Sequence, residues 1–250
     1  MKKILIALTL LIALTTTAQA QLLYWGVRGG VGPSFHTDDI ASEGAVLGAN
    51  VGGFVTFGFT NGESFFAENF TLQTGLNFIR RGGTFEEVYE KGLLMSYREG
   101  TYNQYYLQLP LLATIRYELP IRQPGHRALI SIGPAVSYGL FGTVRDRKIS
   151  RGLPQTTWNY DVTNPVFGDD YLKRLDVDLI FGLGYEWKDL IFMVQLDYGF
   201  TSLRDEDDVL THSTTTTEQT GDSQTTVIDK VPIGSNSSFL FTIGYQFPVR

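Results

Sequence analysis

The residues that could do chemistry in this chain are charged side chains that occupy every second position of apolar stretches. Asp176 and Asp178 flank Val177, and Arg116 and Asp197 have apolar neighbours on both sides. Side chains of an extended strand point to opposite faces with a period of two, so each charge turns away from its apolar neighbours. Acids and bases that share one face can form ion pairs or a path for ions or protons. The polar residues grouped by this reasoning are Arg28, Gln73, Gln108, Arg116, Asp176, Asp178, Gln195 and Asp197.

The clearest alternating stretch is 101–118, TYNQYYLQLPLLATIRYE. Its odd-numbered residues from Tyr105 to Tyr117 are apolar or aromatic, whereas its even-numbered residues include Gln108 and Arg116. This length suits a strand that crosses a bilayer, where roughly 9–11 tilted residues span the hydrocarbon. Pro110 lacks the N–H that a sheet needs, so we expect a β-bulge there.

Seven other segments alternate in the same way. One face of each is large and apolar, and the other is mostly Gly, Ser, Ala or polar, which a narrow barrel interior can hold. Aromatic residues near segment ends are typical of a membrane-facing girdle. We therefore predict an all-β fold, an eight-stranded antiparallel transmembrane β-barrel, which pairs the backbone groups that hydrocarbon would leave unsatisfied. The predicted strands are 22–32, 44–59, 68–80, 101–118, 127–141, 172–186, 190–201 and 237–247.

The connections between these segments alternate between long and short. Transmembrane barrels show this pattern, with short periplasmic turns and long external loops. The pattern predicts that both termini lie in the periplasm. A secreted eight-stranded ligand carrier is the structural alternative, although it would not need this alternation. The connections are about 33–43, 60–67, 81–100, 119–126, 142–171, 187–189 and 202–236.

The N-terminus predicts export. Lys2 and Lys3 precede an apolar run, and Ala18-Gln19-Ala20 has the small-x-small pattern that signal peptidase cuts. We expect a cleaved signal peptide at 1–20 and one outer-membrane barrel domain at 21–250. The mature chain would carry 18 basic and 26 acidic residues, a formal charge of −8. Without a basic stripe, this charge gives no support to nucleic-acid binding.

Residues 103–117, NQYYLQLPLLATIRY, resemble the Tyr-Leu-x-Ile-Pro-Leu-Leu segment of the PorT-like outer-membrane β-barrel family. GVRGGVGPSF and FLFTIGYQF are similar to that family's first and last strands, although Pro248, Val249 and Arg250 follow where many such barrels end on the aromatic residue. The resemblance implies a barrel in the cell outer membrane. The family's name-giving member is tied to secretion and gliding machinery, which implies secretion-complex proteins as possible partners. The matching positions are Tyr106, Leu107, Leu109 (where Ile is usual), Pro110, Leu111 and Leu112.

The charged set has two interpretations. It can be a selective conduit, or it can be a plug of ion pairs and hydrogen bonds in a barrel whose interior is only wide enough for side chains. The plug is favoured, because unpaired buried charges cost on the order of several kcal/mol each. We expect Arg116 to form its centre, paired with Asp176, Asp178 or Asp197.

Catalysis would need a histidine beside a nucleophile or water, with a carboxylate to orient it. His36 and His212 are predicted in the first and last external loops, and His126 in a periplasmic turn. The pattern requires no meeting of these residues, so we predict neither an enzyme nor a metal or cofactor site.

The connection 142–171 begins with a basic patch that suits phosphate. Arginine forks match phosphate geometry, so contact with lipopolysaccharide is a hypothesis for these residues. For the whole chain, we predict a non-enzymatic outer-membrane component with a structural or loop-mediated binding role. The alternatives are an accessory subunit of a secretion or gliding complex, an outer-membrane enzyme, or a narrow channel. The basic residues are Arg145, Arg147, Lys148 and Arg151.

Overall fold

The structure, a computed structural model, consists of antiparallel β-strands. It describes residues 20–37, 42–59, 69–91, 94–121, 124–152, 156–167, 172–201, 211–212, 227–228 and 235–249. The predicted signal peptide lies almost wholly outside the described residues. The strands are β1 (Ala20–Thr37), β2 (Ser42–Gly44), β3 (Val46–Phe59), β4 (Phe70–Lys91), β5 (Leu94–Glu118), β6 (His126–Gly152), β7 (Thr156–Pro165), β8 (Leu175–Trp187), β9 (Leu190–Gly199), β10 (Thr211–His212), β11 (Val227–Ile228) and β12 (Ser235–Pro248).

Eight of these strands close into a ring, which confirms the prediction of an eight-stranded antiparallel barrel. The order around the ring is β1, β3, β4, β5, β6, β8, β9 and β12, and β12 pairs with β1. The paired residues can be followed from Arg28, strand by strand, around the ring. One direction leads to Asp176 of β8, and the other leads to Glu186 of the same strand, ten residues away. The ring therefore closes with a shear of ten residues, which tilts the strands against the barrel axis.

The two faces of the ring differ as the alternation predicts. Leu109 of β5 is 56% exposed on the outer surface, whereas its neighbour Gln108 is fully buried. Exposed aromatic residues lie toward both ends of the outer face, with Trp25 and Tyr117 at one end and Tyr198 at the other. Such a surface fits hydrocarbon flanked by two interfaces. Among the described residues, no helix is long and apolar enough to cross a membrane.

The two ends of the barrel are built differently. At one end, which we call the terminal end, β1 begins and β12 ends. The connections after β3, β5 and β8 also lie there, and the last of them is only two residues long. At the opposite end, which we call the hairpin end, β4 and β5 continue as a paired hairpin to Lys91 and Leu94. β6 also continues to Gly152 and pairs with β7. The predicted connections 81–100 and 142–171 are therefore largely strand, because their cross-strand pairs continue beyond the apolar belt.

The bulge in β5–β6 is not at Pro110, so that expectation was wrong. The register between β4 and β5 is the same before and after Pro110, and the Thr74 hydroxyl donates to the Pro110 carbonyl oxygen at 2.8 Å. The register instead shifts between Tyr105 and Tyr106, where Leu140 is the extra residue of β6. Leu140 and Phe141 are consequently both exposed on the outer face.

A close backbone approach at Gly133 gives a test of this packing. A β-carbon at Gly133 would collide with the Leu111 carbonyl oxygen of the neighbouring strand. We predict that Gly133→Ala lowers the free energy of unfolding by about 1–3 kcal/mol. Urea unfolding of the refolded protein in vesicles, with heat-modifiable gel migration as a check on folding, measures this loss.

Gly53→Ala is the matched control. Gly53 lies on the outer face, and the nearest atom to an added β-carbon is the Gly26 carbonyl oxygen at 3.6 Å. This variant should unfold like the wild type. Equal losses in both variants would contradict the close approach at Gly133.

Candidate functional site: the ion-pair network inside the barrel

The interior of the ring is filled by polar side chains whose centre is Arg81. On β4 the inward positions are odd-numbered, and Gln73, Asn77 and Ile79 are all buried there. Arg81 continues this parity and is fully buried, while Arg80 points to the other face. The predicted strand ended at residue 80, so Arg81 was missed. Extending the alternation by one inward position would have found it.

Arg81 binds three carboxylates at once. Its two terminal nitrogens donate to the two oxygens of Asp178 at 2.8 and 3.1 Å, a bidentate pair. Nη2 also donates to Asp197 at 3.0 Å, and Nη1 lies 3.5 Å from Asp176. All four side chains have no exposed area. The cluster, which we call the Arg81 cluster, therefore ties β4 to β8 and β9 across the interior.

Neutral donors complete the Arg81 cluster, because one guanidinium cannot compensate three carboxylates. Asp178 accepts from Ser137 at 2.7 Å and from Gln108 at 3.1 Å. Gln195 donates to Asp197 at 2.6 Å. Asn236 of β12 donates to Asp176 at 3.3 Å and to the Tyr106 hydroxyl at 3.0 Å. These bonds bring β5, β6 and β12 into the same network.

Arg28 forms a second level of the network, toward the terminal end. Its Nε donates to Asn77 at 3.2 Å and its Nη1 donates to Gln73 at 3.0 Å. Asn77 in turn donates to Gln108 at 3.4 Å, which connects Arg28 to the Arg81 cluster. The guanidinium also lies over the Phe54 ring, 5.7 Å from its centroid.

Arg116 forms a third level and does not contact Asp176, Asp178 or Asp197, so the expected centre of the network was wrong. It donates to Glu186 at 2.9 Å and to Gln246 at 3.2 Å. The shear explains the difference. Across β6, Arg116 is level with Gly184 of β8, which is two residues from Glu186 and six from Asp178, or about 20 Å along the strand. Arg127 donates to the same Glu186 at 2.9 Å.

The structure thus places all eight predicted polar residues in the interior, but it distributes them over three levels. Apolar clusters fill space between and beyond these levels. Phe54 packs with Leu129 and Met193, and Leu112 packs with Ile180. The buried predicted residues are Arg28, Gln73, Gln108, Arg116, Asp176, Asp178, Gln195 and Asp197.

Buried apolar side chains cover the network at the hairpin end. Val166, Phe167 and Leu172 are buried, and Phe167 packs edge-on against Tyr106 at 5.5 Å. A β-carbon at Gly139 would press into the Phe167 ring, so glycine is needed where this ring enters. The described residues therefore place an apolar layer above the Arg81 cluster at this end.

Comparison with known proteins agrees with this architecture. Residues 18–208 match the family described as outer membrane protein beta-barrel domain. The chain belongs to this family. The match supports the outer-membrane location and the barrel; the narrower PorT-like resemblance stays a prediction. No curated protein matches the chain.

Two solved structures are similar to this outer-membrane barrel, both of Ail, the attachment invasion locus protein of Yersinia pestis. The complex of Ail with the heparin analogue sucrose octasulfate has 10% identity and a TM-score of 0.35. The structure of Ail alone has 11% identity and a TM-score of 0.34. In each case the match covers 91% of this chain and 100% of Ail.

The two histidines whose side chains the structure describes, His36 and His126, lie at opposite ends of the barrel and do not meet. His36 belongs to β1 and is buried with an edge-on contact to Tyr102 at 5.6 Å, so its prediction as an exposed loop residue was wrong. His126 hydrogen-bonds the Tyr185 hydroxyl at the terminal end. His212 is in β10, and its side chain is outside the described residues. Within the described part of the chain, no group of three or more His, Cys, Asp or Glu could hold a metal ion.

The basic patch lies on the extension of β6 beyond the bulge. Arg145 and Arg147 are exposed, and Arg147 donates to Glu99 at 3.2 Å. Lys148 and Arg151 are also in β6, but their side chains fall outside the described residues. The described part of the patch therefore presents two exposed cations, Arg145 and Arg147.

The Arg81 cluster makes a prediction about stability. Arg81→Met would leave three buried carboxylates without their cation, so the free energy of unfolding should fall by about 3–5 kcal/mol. Urea unfolding of the refolded protein, followed by tryptophan fluorescence, measures the change.

Arg127→Gln is the control. The Arg127 side chain is 31% exposed, and its partner Glu186 keeps Arg116, so the loss should stay below about 1 kcal/mol. A loss in Arg81→Met no larger than in the control would show that Arg81 does not hold the interior together.

Proposed function

We propose that this protein is a non-enzymatic, plugged barrel of the outer membrane that works through its hairpin end. The observation that carries the proposal is the Arg81 cluster, which spans the interior from β4 to β8 and β9. Separating a buried arginine from a bidentate carboxylate and two further acids costs much free energy, because each separated charge would remain in the interior. Such an interior supports a structural role or binding at the barrel ends.

The proposed orientation places both termini in the periplasm and the hairpin end outside the cell. The contrast between the ends supports this, since barrels of this kind have short periplasmic turns and longer external connections. The β8–β9 turn at the terminal end has two residues, whereas the β4–β5 hairpin projects by many. The proposal includes a cleaved signal peptide at 1–20 and a mature domain at 21–250.

The resemblance to PorT-like barrels supports a second role, as an accessory subunit of a secretion or gliding complex. The paired extensions of β4, β5, β6 and β7 offer a surface on which such a partner could dock. Cross-linking in intact outer membranes followed by a pull-down separates the two roles, because a complex subunit should recover large partners in fixed proportion. The enzyme and channel alternatives gain no support from the described histidines or from the filled interior.

The plugged interior predicts that the protein does not conduct ions. Wild-type protein reconstituted in a planar bilayer should give no single-channel steps, since side chains occupy the path from the Arg81 cluster to Arg116. A porin in the same bilayer is the positive control. Stable conductance steps that vanish on omission of the protein would contradict the plug and favour the narrow channel.

We propose that the basic patch of β6 binds lipopolysaccharide phosphates. Arg145 is exposed and lies four residues beyond Phe141, or about 13 Å along the strand. Phe141 stacks on Tyr105 with a centroid distance of 4.7 Å, as expected for an aromatic pair at the membrane interface. The exposed guanidinium groups therefore fall at the depth of lipid phosphates. The proposed contacts are Arg145, Arg147, Lys148 and Arg151.

The double variant Arg145→Gln/Arg147→Gln tests this contact. We expect about a tenfold weaker association with lipopolysaccharide in low salt, because two charge-assisted contacts worth about 0.5–1 kcal/mol each are lost. Binding of labelled lipopolysaccharide to the refolded protein measures it.

Lys188→Asn is the matched control, because it removes a cation at the terminal end and asparagine tolerates the positive φ of 56° at this turn. It should bind as the wild type does. Unchanged binding in the double variant would refute the contact.

A further inference from the structure

A small cavity lies inside the barrel between the second and third levels of the network. Two arginines, Arg28 and Arg116, line it together with apolar side chains such as Phe54, Leu129 and Met193. The other polar lining residues are Gln73, Thr114, Ser131 and Thr242. The space in it that the centres of water molecules could occupy is ≈ 20 Å³. This is room for one or two small species and excludes an organic ligand. We call it the arginine cavity.

The polar groups of the arginine cavity include donors that the protein itself does not use. Nη2 of Arg28 and Nε of Arg116 are buried and have no hydrogen-bond partner among the described residues. The same holds for the Thr242 hydroxyl, whose residue is only 4% exposed. Buried polar groups almost always have a partner, so three orphans around one cavity point to a ligand that accepts hydrogen bonds.

The charged side chains around the arginine cavity also favour an anion, because cations outnumber anions there. Arg28 makes no ion pair with any described residue, and it donates to the neutral side chains of Gln73 and Asn77. Glu186 is shared between Arg116 and Arg127. Asp197 acts on Arg28 through space, but it already pairs with Arg81 at 3.0 Å. Among the described residues, the charged groups at this end of the interior therefore comprise three cations, Arg28, Arg116 and Arg127, and one anion, Glu186.

We infer that the arginine cavity binds one small monovalent inorganic anion of the size of chloride. Two guanidinium groups and a hydroxyl would donate to it, and the apolar side chains of the wall would strengthen these contacts by excluding water. The anion would lower the excess positive charge beside Glu186 and complete the network between its second and third levels. A neutral water could accept the same bonds but would leave that charge in place.

The test uses the full-length mature protein, refolded in detergent, with chloride and bromide as probes. Chloride-35 NMR should show line broadening by the protein that added bromide reverses. Thr242→Val removes one donor at nearly constant volume and should weaken the anion affinity roughly tenfold. Thr71→Val is the matched control, because Thr71 is equally buried but does not line the cavity, and its hydroxyl donates to the backbone carbonyl oxygen of Thr114; it should leave the affinity unchanged.

The second measurement needs no variant and holds if Thr242→Val fails to fold. Wild-type crystals grown without halide and soaked in bromide should show an anomalous peak within hydrogen-bond distance of Arg28 and Arg116. A cavity that holds only water would overturn the inference, as would bromide found only on the outer surface. Equal line broadening by the wild type and a folded Thr242→Val would overturn it as well.

Discussion

The structure depends on the burial of Arg81 among three carboxylates. A ring of eight tilted strands has an interior only as wide as the side chains that fill it. Charges in that interior must find ionic or hydrogen-bonding partners within a few ångströms, because water does not surround them there. Asp178 supplies the bidentate contact, while Asp176 and Asp197 occupy the remaining directions around the guanidinium. Neutral side chains supply the further hydrogen bonds that these carboxylates accept, from Gln108, Ser137, Gln195 and Asn236.

The shear of the ring determines which charges can meet. Because the register advances by ten residues around the barrel, residues at one height come from unequal positions along their strands. Arg81 reaches the hairpin-side acids of β8, whereas Arg116 reaches Glu186 near the other end of the same strand. The result is a stack of levels with opposite local charge, acidic around Arg81 and basic around Arg116. The arginine cavity lies on the basic side of this division.

The sequence predicts the ring and the inward face of each strand, because both follow from a period of two. It does not predict pairing between levels, because the shear depends on how all eight strands align. Arg116 was therefore matched with the wrong acids. Arg81 was not predicted, because the alternation of β4 continues beyond the point where its apolar residues stop. The Leu140 bulge was also unpredicted, since nothing but the cross-strand register distinguishes Leu140 from its neighbours.

The partners of Arg81 are distant along the chain, at separations of 95, 97 and 116 residues. Arg81 belongs to the first half of the barrel and its acids to the second half. Arg81 has none of these carboxylates as a partner until β8 and β9 have joined the barrel. Asp176 likewise lacks the hydrogen bond from Asn236 until β12 is in place. The cluster therefore stabilises only the closed ring. An incomplete barrel would keep unpaired, hydrated charges along its open edge, and such an edge is poorly suited to enter hydrocarbon.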